Sequence, residues 1–158
     1  MVELPVKMFV QNILREAKDS VRAMSCLSSH SKIQGLELMA EALKRHSSDI
    51  LEGNERDLER ISKDLDQQAY RAMVERVRIS EDTIDKMTQG LLNLAALPDP
   101  VGEVSQAWLT PDGMQVQRVR SPLGVISVIS DMGPLVTTSS FGMCLKTGNV
   151  CVFRGGGE

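Results

Sequence analysis

The chain has 158 residues, 42% of them apolar and 25% charged, which suits one domain with a real core and argues against long disorder. With a net charge of -3, basic residues interspersed with acids and only 3% aromatics, it lacks both the electrostatic footprint and the stacking platforms of a nucleic-acid binder. Its opening residues do not form a signal peptide and no apolar run approaches the roughly 20 residues of a membrane span, so the expected compartment is the cytoplasm, with neither nucleic acid nor membrane as partner.

The first hundred residues read as helices. Val10, Ile13, Leu14, Ala17, Val21, Met24 and Leu27 recur every three or four positions and lay an apolar stripe on one helical face. The polar break Ser28-Ser29-His30-Ser31 offers caps before Ile33, Leu36, Met39, Ala40 and Leu43 resume the period. A third helix is expected after His46-Ser47-Ser48-Asp49, using Ile50, Leu51, Leu58 and Ile61, with Gly53 weakening its first turns. Ala69, Met73 and Val77 point to a shorter fourth. Ser80, followed by the acids Glu81 and Asp82, opens a fifth that carries Ile84, Met87, Leu91 and Leu94 to Pro98.

Pro98-Asp99-Pro100 ends the helices, and the apolar period changes from 3.6 to 2. Residues 104–110 and 114–120 flank Pro111-Asp112-Gly113, which reads as a hairpin with one wet face. Residues 123–129 are nearly all apolar, the pattern of a strand covered on both sides. Residues 135–146 form one helix that Thr147-Gly148-Asn149 stops, and Val150-Cys151-Val152-Phe153 is a second apolar strand, completing a βαβ unit. The fold class is therefore α/β: N-terminal helices over 1–97, a linker and β-hairpin over 98–121, and over 122–158 the first βαβ unit of a sheet that is incomplete as it stands. Parallel strands need cover on both faces, so the chain reads as interrupted after Glu158.

Ligands of open α/β sheets bind at the carboxyl ends of the strands. Those ends are Ser130 and Asp131, leading to Pro134, and Arg154-Gly155-Gly156-Gly157-Glu158. Three glycines allow backbone N–H groups to approach an anion, the Arg154 guanidinium suits a phosphate, and Glu158 suits ribose hydroxyls. The same five residues also fit an ordinary flexible turn, and neither GxGxxG nor GxxxxGK[ST] occurs. His30 and His46 fall at helix ends, where solvated or capping roles suffice. Trp108 packs within its strand pair or against a partner. Nine methionines fall mostly on the helical stripes as core filler. Cys26, Cys144 and Cys151 have no metal-ligand spacing and read as buried reduced thiols, so no metal site and no catalytic residue is assigned.

Four separated motifs, Leu97-Pro98-Asp99-Pro100-Val101-Gly102-Glu103-Val104, Ser121-Pro122-Leu123-Gly124-Val125-Ile126, Cys144-Leu145-Lys146-Thr147-Gly148-Asn149 and Arg154-Gly155-Gly156, match one family in order and spacing. With Leu27-Ser28, Met39-Ala40-Glu41-Ala42-Leu43, Ile50-Leu51-Glu52-Gly53-Asn54 and Gly90-Leu91, the whole chain resembles the N-terminal part of γ-glutamyl phosphate reductase, or glutamate-5-semialdehyde dehydrogenase, of the aldehyde dehydrogenase superfamily. The resemblance implies a Rossmann-like cofactor domain beginning near residue 122. It also implies NADPH-dependent reduction of γ-glutamyl phosphate to glutamate 5-semialdehyde in proline biosynthesis, by a cysteine nucleophile that lies beyond these residues. By the same resemblance Arg154, Gly155, Gly156 and Glu158 approach the adenosine ribose and its phosphate, the hairpin is of the oligomerisation type, and the full-length protein is a homo-oligomer. Three departures stand out. Gly157 replaces a serine hydroxyl, Gly133 stands where the family carries Arg and offers no oxyanion-stabilising side chain, and Ser139 stands where Asp is common. Two readings follow: the N-terminal part of this enzyme, inactive alone, or a non-catalytic interaction or oligomerisation module derived from it.

Overall fold

A computed structural model describes residues 3–60, 66–131 and 133–156. Ile61, assigned above to the third helix, and Gly157 and Glu158, assigned to the phosphate-facing loop, lie outside the described residues. Five helices come first: α1 (Glu3–Ser25), α2 (Ser29–Arg45), α3 (Ser47–Arg60), α4 (Gln67–Val77) and α5 (Glu81–Ala96). Side-chain oxygens at their starts satisfy backbone donors that the helices leave free. Ser28 accepts from the Ser31 N–H, Asp66 from those of Gln68 and Ala69, and Ser80 forms a reciprocal capping box with Thr83. Leu27, counted above in the first stripe, falls past the end of α1: Cys26 and Leu27 make a turn so that Ser28 can adopt the extended geometry of a cap. Gly53 does not interrupt α3.

The core lies between α2 and α5, where Leu36, Ala40, Leu91 and Ala95 are buried, with Ile33, Met39, Leu43, Leu94 and Leu145 packed around them. Burying side chains of the Leu36 and Leu91 kind stabilises by roughly 1.5–3 kcal/mol each. Helix α6 (Pro134–Lys146) closes on this pair through Gly142, whose missing side chain leaves room for Leu91 and Leu94; an added Cβ would lie 2.8 Å from a methyl carbon of each. Lys32 is fully buried in α2, and its ammonium donates to both oxygens of Asp99 at 2.9 and 3.1 Å. Asp99 also accepts from Ser29 Oγ and from the Val101 N–H. Burial pushes its carboxyl up, and these hydrogen bonds with the Lys32 charge more than offset that, holding it below the usual carboxylate range. The ion pair thereby anchors Pro98-Asp99-Pro100 to α2 at the point where helix gives way to strand.

Strands β1 (Val104–Leu109) and β2 (Gln115–Val119) form the antiparallel hairpin, with Gly113 at φ +85° in its turn and a register shift between Val104 and Gln106. At its base Arg120 and Glu103 form an ion pair at 2.8 Å. The expected single wet face is not observed. Only Val116 of the two strands is even partly covered, Trp108 is 46% exposed and Leu109 71% exposed, because neither face of the ribbon meets another layer.

Strands β3 (Val125–Ile129) and β4 (Val150–Arg154) pair in parallel around α6, the expected βαβ unit. Gly148, at φ +70°, stops α6, and Asn149 Oδ1 accepts from the N–H groups of Leu123 and Gly124, tying the entry of β3 to the entry of β4. Cover on both sides of β3 is likewise not observed. Leu123 is 86% and Ile129 77% exposed, since a sheet of two strands with α1 and α6 against it leaves much of its surface open. The expectation of buried thiols holds for Cys144 only: Cys151 is half-buried and Cys26, in the turn after α1, is exposed. No helix among the described residues is long and apolar enough to cross a membrane.

Candidate functional site

Parallel pairing of β3 and β4 sends both strands out of the sheet at the same edge, with Ile129 opposite Arg154 and the Ser130 N–H donating to the Arg154 carbonyl at 3.1 Å. The residues that follow are therefore neighbours. Ser130, Asp131, Gly133 and Pro134 from the first strand end meet Gly155 and Gly156 from the second along one cleft of about 200 Å³. Four of the six residues singled out in the sequence, Ser130, Asp131, Gly155 and Gly156, line it. Arg154 does not: it closes β4 with an exposed side chain, on the strand face opposite Phe153. Glu158 is outside the described residues.

The start of α6 forms one wall. Gly133 is its N-cap at φ +81°, a conformation L side chains rarely adopt, and no side chain caps the helix there; Pro134 follows in the first turn. The N–H groups of that turn carry the positive end of the helix dipole towards the cleft, which favours an anion. A Cβ at position 133 would approach the Arg76 carbonyl to 3.1 Å. Glycine therefore fits position 133 best, because of the positive φ and the nearness of α4.

The helical region supplies the opposite wall, which strand-end reasoning did not anticipate. Asn54, Asp57, Arg76, Val77 and Ile79 line the same cleft. Arg76 Nη1 lies 3.3 Å from Asp131 Oδ2, bringing a cation beside the strand end. Asn54 is buried and holds the connection after α4 in place: its amide donates to the Val77 carbonyl at 2.9 Å and its oxygen accepts from the Ile79 N–H at 2.7 Å. Asn54 lay within one of the recognised motifs, whereas nothing local marked Arg76, whose contact with Asp131 spans 55 positions. Together the cleft offers glycine backbone, a helix start and a guanidinium, groups that suit a phosphate, alongside the carboxylates of Asp57 and Asp131.

The remaining candidates have structural roles. His46 caps α2 and approaches Asp49 at 3.1 Å, and His30 sits exposed in the first turn of α2. Ser139 donates to the Leu135 carbonyl one turn back. Burial, with the adjacent Cys144 charge and hydrogen bond, pushes the Cys151 thiol up to about 11, the opposite of an activated nucleophile.

No family model matches the chain. It is 40% identical over 155 residues to a γ-glutamyl phosphate reductase of Thermodesulfovibrio yellowstonii, covering 98% of this chain and 36% of that protein. It is 41% identical over 153 residues to one of Moorella thermoacetica, covering 97% and 36%. Among solved structures, γ-glutamyl phosphate reductase of Thermotoga maritima superposes with a TM-score of 0.80 at 30% identity, covering 90% of this chain and 34% of that one. The Saccharomyces cerevisiae enzyme superposes with a TM-score of 0.83 at 28% identity, covering 93% and 37%. The chain spans about a third of the length of the relatives it matches.

Proposed function

The chain is homologous to the γ-glutamyl phosphate reductases over about a third of their length, and from this premise we propose that it is the N-terminal part of an NADPH-dependent glutamate-5-semialdehyde dehydrogenase. In this reading the chain contributes the opening of the cofactor domain, from residue 122 onward. The reaction is reduction of γ-glutamyl phosphate to glutamate 5-semialdehyde in the cytoplasm, and the cysteine nucleophile comes from sequence beyond Glu158. The observation that carries the reading is convergence: two parallel strand ends, the α6 start and Arg76 meet in one small cleft at the sheet edge where α/β proteins bind ligands.

Within that cleft Gly155 and Gly156 leave room for a phosphate or ribose to approach the backbone. Ser130 and Asp131 supply polar atoms beside them, and Arg76 holds Asp131 in place. Arg154 and Glu158 act on the adenosine ribose and the extra phosphate that distinguishes NADPH. When bound, the cofactor supplies hydride; these residues orient its adenosine half. The hairpin, with Trp108 and Leu109 exposed, supplies a contact between subunits of a homo-oligomer.

The direct test is completion. Fused to the remaining two thirds of the Thermodesulfovibrio relative, the chain should support phosphate-dependent oxidation of glutamate 5-semialdehyde with growth of NADPH absorbance. A folded fusion that carries the relative's nucleophile and yields no NADPH would reject the assignment.

A further inference from the structure

Helix α6 and strand β4 face each other side chain to side chain. Phe141 and Phe153 bring their ring centroids to 5.9 Å. Helical neighbours on one face recur at three or four residues and strand neighbours at two, and in a βαβ unit the helix runs opposite to the strands. Stepping forward from Phe141 to Cys144 therefore matches stepping back from Phe153 to Cys151. The next facing pair along the contact is two thiols. A short connection holds them there, with the Asn149 N–H donating to the Cys144 carbonyl at 2.8 Å. Both line one cleft of about 570 Å³ with Ala23, Met24 and Phe141, and among the described residues no other ionisable side chain lines it. Cys144 is buried and Cys151 half-buried, so Cys151 is the thiol that a small solute in the cleft meets first.

We infer that Cys144 and Cys151 form a dithiol that hydrogen peroxide converts to an internal disulfide, clipping the last turn of α6 to β4. The Cys151 thiol gives up its proton, its sulfur attacks one peroxide oxygen, the O–O bond breaks, and a sulfenic acid forms with release of one water, a step that quickens as pH rises. The Cys144 sulfur then attacks the Cys151 sulfur, the S–S bond forms, the S–O bond breaks, and a second water leaves. Each sulfur gives up one electron and the peroxide takes two. The inference does not depend on the proposed enzyme activity. It concerns two residues that activity does not use.

Trypsin cleaves after Lys146, between the two cysteines, so non-reducing peptide mapping of the peroxide-treated chain reads the bond directly. The expected product is a Cys144 peptide joined to a Cys151 peptide, lighter by two hydrogens and separated by dithiothreitol. In C151S the linked species should be absent, and in C144A a dimedone-reactive sulfenic acid should accumulate at Cys151. Peroxide treatment that leaves Cys144 as a thiol while Cys151 proceeds to sulfinic acid would overturn the inference. If C144A does not fold, the wild-type map decides the question alone.

Discussion

Replacing Lys32 with Met tests the packing that connects the helices to the strands. Lys32 is 1% exposed and its ammonium contacts both Asp99 oxygens, with the Asp99 side chain 13% exposed. Breaking a buried pair by removing one partner costs about 3–5 kcal/mol, because the other charge is left uncompensated. Asp99 keeps the Ser29 hydroxyl at 2.7 Å and the Val101 N–H at 3.0 Å, which places Lys32→Met near the lower end, about 3 kcal/mol. Asp99→Leu combined with Lys32→Met should cost less than Lys32→Met alone, since no charge then remains unpaired. The folded-state pKa of Asp99 is depressed. The stability from its ionised form is therefore fully present above the unfolded value of about 3.9 and lost as pH falls through the lower folded value. Urea unfolding should show the full penalty of Lys32→Met at pH 7 and a shrinking one below about pH 4. A penalty under about 1 kcal/mol at pH 7, or one that does not change with acid, would refute the reasoning and make the pair a solvated contact.

Three further outcomes follow from the geometry. Gly133→Arg should destabilise by about 1–3 kcal/mol in urea unfolding, because φ +81° and the Arg76 carbonyl at 3.1 Å oppose any side chain there; a neutral result would show that α4 yields. Iodoacetamide at neutral pH should label exposed Cys26 well before Cys151, whose thiol is pushed up to about 11. Cys151 labelling should then rise about tenfold per pH unit up to that value, and equal rates at pH 7 would contradict its burial. The 158-residue chain alone should bind NADPH only at millimolar concentrations, because a cleft of about 200 Å³ is smaller than the roughly 300–1,000 Å³ of small-molecule sites. Calorimetry giving a micromolar Kd would show a more complete site than the cleft provides.

Much of the fold was legible because it is encoded locally. Apolar spacing located α2 and α5, Ser28 and Ser80 were readable as caps, Pro111-Asp112-Gly113 specified the turn, and Gly148 the end of α6. Burial was less legible than periodicity. Residues 123–129 have the composition of a strand covered on both faces, and the hairpin alternates as though one face were covered, yet Ile129 and Leu109 are exposed. Composition records the surroundings a segment is suited to, and the described residues supply only part of them. The site was half legible. Strand ends can be read from local pattern, and Ser130, Asp131, Gly155 and Gly156, singled out on that ground, line one cleft. The wall formed by Asn54 and Arg76 depends on how α3 and α4 pack across the sheet edge, which no local spacing specifies. The constraint on Gly133 was visible only once the Arg76 carbonyl was placed beside it.

The central claim is that this chain opens an NADPH site, and the sharpest measurement is the effect of Arg154→Ala on both cofactors in the completed fusion. A charge-assisted contact to phosphate is worth about 1.5–3 kcal/mol, and Arg154 is exposed, so the lower end applies, roughly a tenfold change. Titration should show the Kd for NADPH rising about tenfold while that for NADH stays within about twofold. Equal losses for the two cofactors, or none for NADPH, would contradict the account.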